Sequence, residues 1–118
     1  MKIEELVARS FAARTAAHME HLKTLSYARH NALGEFYSAV GEAADAVVEF
    51  YIAAFSKDLG DLPAIPAPTD PLAPWLRGEL EWLEENLEAL SQGSESLSNK
   101  IQELIACFAR VLFFLRFK

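Results

Sequence analysis

All three histidines of this 118-residue chain fall within one stretch, "HMEHLKTLSYARHNALGEFY", residues 18–37. His18 and His30 stand 12 residues apart, on either side of a break near Thr24 to Ser26. A helical hairpin turning there sets the two imidazoles at about the same level. Farther on, Asp45 and Glu49 form an i, i+4 carboxylate pair, able to converge on one cation from one face of a helix. Imidazole and carboxylate together are donors suited to iron and other divalent first-row metals. Yet Asp45 lies 15 residues beyond His30, roughly 22 Å along a single helix. One chain cannot close that gap. Two antiparallel copies of the helix can, with the imidazoles of one facing the carboxylates of the other and two identical sites per homodimer.

The same stretch offers a second chemistry. His21, Lys23, Thr24, Ser26, Tyr27 and Arg29 supply cations, hydroxyls and an aromatic platform around a helix N-terminus. Such groups cradle a phosphate or a small anionic nucleotide. His21 also lies near the apolar stripe of the first helix, where core packing is its ordinary use. No nucleophile has an adjacent oriented base, and no glycine-rich phosphate loop is present, so hydrolase chemistry is not expected. The residues equally suit a capped turn and a solvated helix face. Residue types and spacing leave metal, anion and plain structure open.

The elements that must position these groups read as helices, and no stretch alternates with strand period. Val7, Phe11, His18, Leu22 and Leu25 predict an inward stripe on a first helix from Lys2 to about Thr24. Ser26 predicts the N-cap of a second, from about Tyr27 to Lys57, with Phe36, Val40, Ala43, Val47, Phe50 and Ala54 inward. Tyr37, Val48, Ile52 and Phe55 make a second apolar face about a quarter-turn away. Gly34 and Gly41 lie on it, at a cost of roughly 0.5–1 kcal/mol each relative to alanine, which predicts close approach of another backbone. All five prolines fall in "DLPAIPAPTDPLAP", a semi-extended linker over about 58–73. At roughly 3.1 Å per residue it is long enough to run the length of the second helix. A third helix, about Pro71 to Leu90, carries Leu76, Leu80, Leu83, Leu87 and Leu90 on one stripe, with Glu79 and its neighbouring glutamates mostly off it. Ser94 or Ser96 caps a fourth, with Leu97, Ile101, Leu104, Phe108, Val111 and Leu115 inward. Phe113, Phe114 and Phe117 on its other faces predict an interface. The expected architecture is a single all-α domain over 1–118: four helices with one long proline-rich crossover between helices 2 and 3.

Composition narrows the partners. A hydrophobic fraction of 52% in so short a chain predicts that some apolar surface meets another copy. A net charge of −6 and no lysine-rich tail argue against DNA phosphates as a target. The first residues are no signal peptide, and "IACFARVLFFLRF" is too short and too interrupted to span a bilayer. The expectation is a soluble chain whose lone Cys107 fits a reducing cytoplasm.

The order His18, His30, Asp45, Glu49 at these spacings resembles the ferroxidase centre of the Dps ferritins, the DNA-protection proteins of starved bacteria. "ARHNALGEFYSAV" is similar to the histidine–leucine–aromatic segment of that family. The likeness is closer still to small Dps-like proteins encoded by bacteriophages, in "HLKTLSYARHNALGEFY" and in the aromatic, basic end "LFFLRFK". It covers residues 15–55 well and the rest in outline. The resemblance implies a ferritin-like bundle in which His18 and His30 of one subunit and Asp45 and Glu49 of its two-fold mate hold iron or another divalent metal. Oxidation of ferrous iron, oxidative protection and residence in the host cytoplasm are then expected. The alternative is a phage anti-defence sponge that sequesters a nucleotide immune signal without catalysis. The chain departs from the Dps pattern at Gly34, where the family carries a further acidic ligand, and in having a proline linker where the family has a crossover helix.

Overall fold

The computed structural model describes residues 2–117. Four helices carry the chain, α1 (Ile3–Lys23), α2 (Tyr27–Phe55), α3 (Leu72–Ser91) and α4 (Glu95–Phe114), and no strand occurs among the described residues. Local chemistry sets their ends. The Ser26 hydroxyl accepts from the Arg29 N–H at 3.3 Å and so opens α2, and Ser94 accepts from Leu97 at 3.1 Å to open α4. Gln92 and Gly93 follow α3 with φ of 51° and 79°, a left-handed exit that ends the helix. No helix among the described residues is long and apolar enough to cross a membrane.

α1 packs against α2, α2 against α4, α4 against α3, and α3 against α1, closing a ring around one core. The expected stripes of α3 and α4 are the observed ones: Leu76, Leu80, Leu83 and Leu90 meet Leu97, Ile101, Leu104, Phe108 and Val111 inside. On α2, Phe36, Val40 and Val47 are buried as expected, whereas Ala44 and Tyr51 replace Ala43, Phe50 and Ala54 at the centre of the stripe.

On α1 the expectation fails. Of its predicted stripe only Val7 is buried, while Phe11, His18, Leu22 and Leu25 are exposed. The buried face is Ile3, Leu6, Val7, Ala8, Ser10, Ala13 and Ala17. Small residues let α1 lie close to its neighbours, and they leave little hydropathy contrast by which to find the face. Glu79 is a second correction, buried on α3 rather than off its stripe.

The connection between α2 and α3 covers residues 56–71, slightly earlier than expected, with Pro74 inside the first turn of α3. Leu59 packs on the core, and the Gly60 N–H donates to Glu4 Oε2 at 2.8 Å, which fastens the linker to the start of α1. Gln92, just past the end of α3, shares a surface depression with Lys2, Ile3, Glu4 and Tyr51. The end of α3 therefore lies beside the start of α1.

Candidate functional site

The α1–α2 hairpin aligns the candidate residues. His21 packs on Gly34, His18 on Tyr37 and Arg14 on Gly41. Each step of three or four residues back along α1 is matched by the same step forward along α2, as in an antiparallel pair. A Cβ at Gly34 would lie 3.0 Å from His21 Cε1, so a side chain there would push the ring aside. A Cβ at Gly41 would meet Arg14 Nε at 3.4 Å. Within the chain, the neighbours of the two glycines are α1 side chains, His21 at Gly34 and Arg14 at Gly41.

At the turn, the three imidazoles and Tyr37 form an aromatic ladder. The rings of His21 and His30 stack at 3.8 Å, and those of His18 and Tyr37 at 4.1 Å. His18 and His21 are 6.2 Å apart, centroid to centroid. The expectation that His18 and His30 face each other is corrected: the register places His21 against His30 and carries His18 to Tyr37, farther along. His21 and His30 also clasp the hairpin. His21 Nδ1–H donates to the His30 carbonyl at 2.7 Å, and His30 Nδ1–H donates to the His21 carbonyl at 3.0 Å. A carbonyl only accepts, so each ring carries its proton on Nδ1. In the neutral form each then keeps its lone pair on Nε2, as a carbonyl bonded to Nδ1–H arranges for metal-binding imidazoles.

The carboxylates lie toward the other end of the same outer groove. Asp45 and Glu49 are exposed, and no ion pair among the described residues engages either. They edge an apolar hollow of about 410 Å³ lined by Val7, Phe11, Val48, Leu59 and Leu62. Between hollow and histidines, Phe11, Arg14, Tyr37, Gly41 and Asp45 border a smaller depression. Within one chain no group of three or more His, Cys, Asp or Glu converges on a metal position among the described residues.

The residues of the anion cradle are largely engaged in shaping the turn. Thr24 Oγ1 accepts from the Ser26 N–H at 3.2 Å, Ser26 caps Arg29, and the Arg29 guanidinium pairs with Glu20 at 3.8 Å. His21 is held in the clasp. Lys23 and Tyr27 project into solvent.

The residues that the sequence reading missed are Leu59 and Leu62, which wall the hollow. Leu59 and Leu62, set among Asp58, Gly60 and Asp61 before the proline-rich stretch, were the available signal. The fold and groove define an all-helical four-helix protein with a histidine-rich turn at one end of an exposed groove and a carboxylate-edged hollow toward the other. The chain belongs to a family of unknown function, DUF5856, whose profile matches residues 21–115. That span holds His21, His30, Asp45 and Glu49 and begins after His18. No curated protein and no solved structure matches the chain.

Proposed function

We propose that this chain is a Dps-like protein with a ferritin-like bundle and crossover. It pairs about a two-fold axis across the α1–α2 groove and binds iron or another divalent metal between subunits. The observation that carries the reading is the polarity of that groove, with imidazoles at one end and uncommitted carboxylates toward the other. The side-by-side order of the helices and the end of α3 beside the start of α1 support the crossover, since the linker must then return the chain along the bundle. An axis crossing α2 midway, between Ala39 and Val40, sets His30 level with the partner's Glu49 and Gly34, with the His21 ring on it, level with the partner's Asp45.

The donor set fits the metal. Nitrogen from His30, level with the partner's Glu49, and from His21, level with the partner's Asp45, suits ferrous iron, and the carbonyl-fixed tautomers leave Nε2 free to bind, whereas His18, stacked on Tyr37, lies farther along the groove. Ferrous iron held there would be the species oxidised, with oxygen or peroxide as the electron acceptor. The protein's own part is to hold the imidazole proton on Nδ1, to keep two carboxylates unpaired until the copies meet, and to cover the site with Phe11 and Tyr37.

The test uses protein purified without chelator. Elemental analysis is expected to find iron, or a substitute such as zinc, near one per subunit. Loss of metal is expected in His30→Ala and in Asp45→Ala, with one intact site restored when the two variants are mixed. No restoration would show that the ligands do not come from different copies. Calorimetry against cyclic and ADP-ribose-derived nucleotides covers the sequestration alternative. Tight binding without metal, weakened by Lys23→Ala, would replace the metal reading.

A further inference from the structure

Leu25 is 103% exposed and Leu22 65%, so the α1–α2 turn carries two large apolar side chains with no cover from their own chain. Toward the other end of the same groove lies a hollow of the opposite shape, walled by Phe11, Val48, Leu59 and Leu62. Phe11 and Leu62 are themselves 42% and 40% exposed. We propose that the turn of one copy seats its Leu22 and Leu25 in the hollow of a second copy, so that the linker builds part of the subunit interface. The proposal rests on the two-fold reading above and adds the occupant of the hollow.

Three observations support a second copy as that occupant. First, level along the groove agrees. Leu22 lies one residue past His21 and so stands near Leu33 of α2, and Leu25 stands beside the start of α2. The axis that sets His30 level with the partner's Glu49 carries these leucines to the level of the partner's Val48. That level follows from the two-fold reading, because Glu49 itself edges the hollow beside Val48. Second, charge agrees. The charged residues lining the hollow are Asp45 and Glu49, whereas the exposed charge of the turn is Lys23. Third, the contact is isologous, so each pair forms two knobs in two hollows without leaving an open end.

The linker wall is held in place. The Gly60 N–H donates to Glu4 Oε2 between Leu59 and Leu62, and a Cβ at Gly60 would come within 3.2 Å of that oxygen. The depth of the hollow therefore depends on a latch between linker and α1.

The experiment places single cysteines at Leu25 and at Leu62 in separate chains, in a Cys107→Ala background, mixes them, and adds a short bismaleimide. Within one copy the two positions lie on the order of 25 Å apart along α2, beyond its reach. Crosslinked dimer is expected from the mixture and not from either chain alone. Leu25→Asp is expected to raise the dimer dissociation constant at least about tenfold by sedimentation, with circular dichroism unchanged. A dimer that binds metal but neither crosslinks nor responds to Leu25→Asp would overturn this proposal and leave the metal site standing. Crosslinking without metal would uphold the knob and remove the metal reading. A monomer at micromolar concentration would remove both.

Discussion

Arg9 joins α1 to α3 through charge. Its Nη1 lies 2.7 Å from Glu79 Oε2, its Nε lies 3.1 Å from Glu5, and its guanidinium covers the Trp82 ring at 4.4 Å. Glu79 Oε1 is buried with no hydrogen-bond partner. Burial pushes the Glu79 carboxyl above its ordinary value, against the pull of Arg9. The contribution of such a group to stability is full below the ordinary carboxylate pKa and declines as pH rises through the raised value. Removing the cation strands a buried carboxylate, so Arg9→Met is expected to cost about 3 kcal/mol at pH 7 and less in acid, where Glu79 takes up a proton. Urea unfolding at pH 5 and pH 8 checks this, and a deficit equal at both would overturn it. Neither partner was legible as buried. A charged residue carries no hydropathy signal of burial, and its counter-ion is 70 residues away in sequence.

At the scale of elements, the linker has a titratable latch. The Gly60 N–H holds the Glu4 carboxyl below its ordinary value, so the latch is present above the usual glutamate range and lost as pH falls through the lowered value. The Gly60 amide shift, followed by NMR, is expected to titrate with a midpoint below the ordinary glutamate value. A midpoint at or above that value would mean that the contact is absent in solution. The latch was not visible in the linker's composition, because one glycine among prolines reads as punctuation until α1 is brought alongside. Helix ends, in contrast, were readable from Ser26 and Ser94, whose hydroxyls bond amides only three residues away. α3 and α4 were equally readable, since leucine and phenylalanine mark their inner faces.

For the whole molecule, the part of α1 from Phe11 onward turns large apolar groups outward and buries only Ala13 and Ala17. Phe11, Met19, Leu22 and Leu25 are exposed together with Tyr27, apolar surface that the proposed pairing would cover. Phe11→Asp is expected to cost the single chain about 1 kcal/mol, because more than half of the ring is covered by its own chain, while dissociating the proposed pair. Sedimentation equilibrium alongside thermal unfolding separates the two effects. Unchanged association would place the interface elsewhere, with the aromatic end at Phe113, Phe114 and Phe117 as the next surface to test.

The sequence by itself determined the helices, their caps, most of the core on α2, α3 and α4, and the distance that keeps His30 from Asp45 and Glu49 in one chain. These follow from spacing along the backbone, which a helix converts directly into faces and lengths. Tertiary structure alone decided which face of α1 is inside, that Gly34 and Gly41 receive His21 and Arg14, and that His21 rather than His18 meets His30. It alone placed Glu79 under Arg9 and Leu59 and Leu62 against Val48. Each of these depends on the register between two elements, and register is set by how side chains of unequal size interlock, a property of the pair that neither segment carries alone.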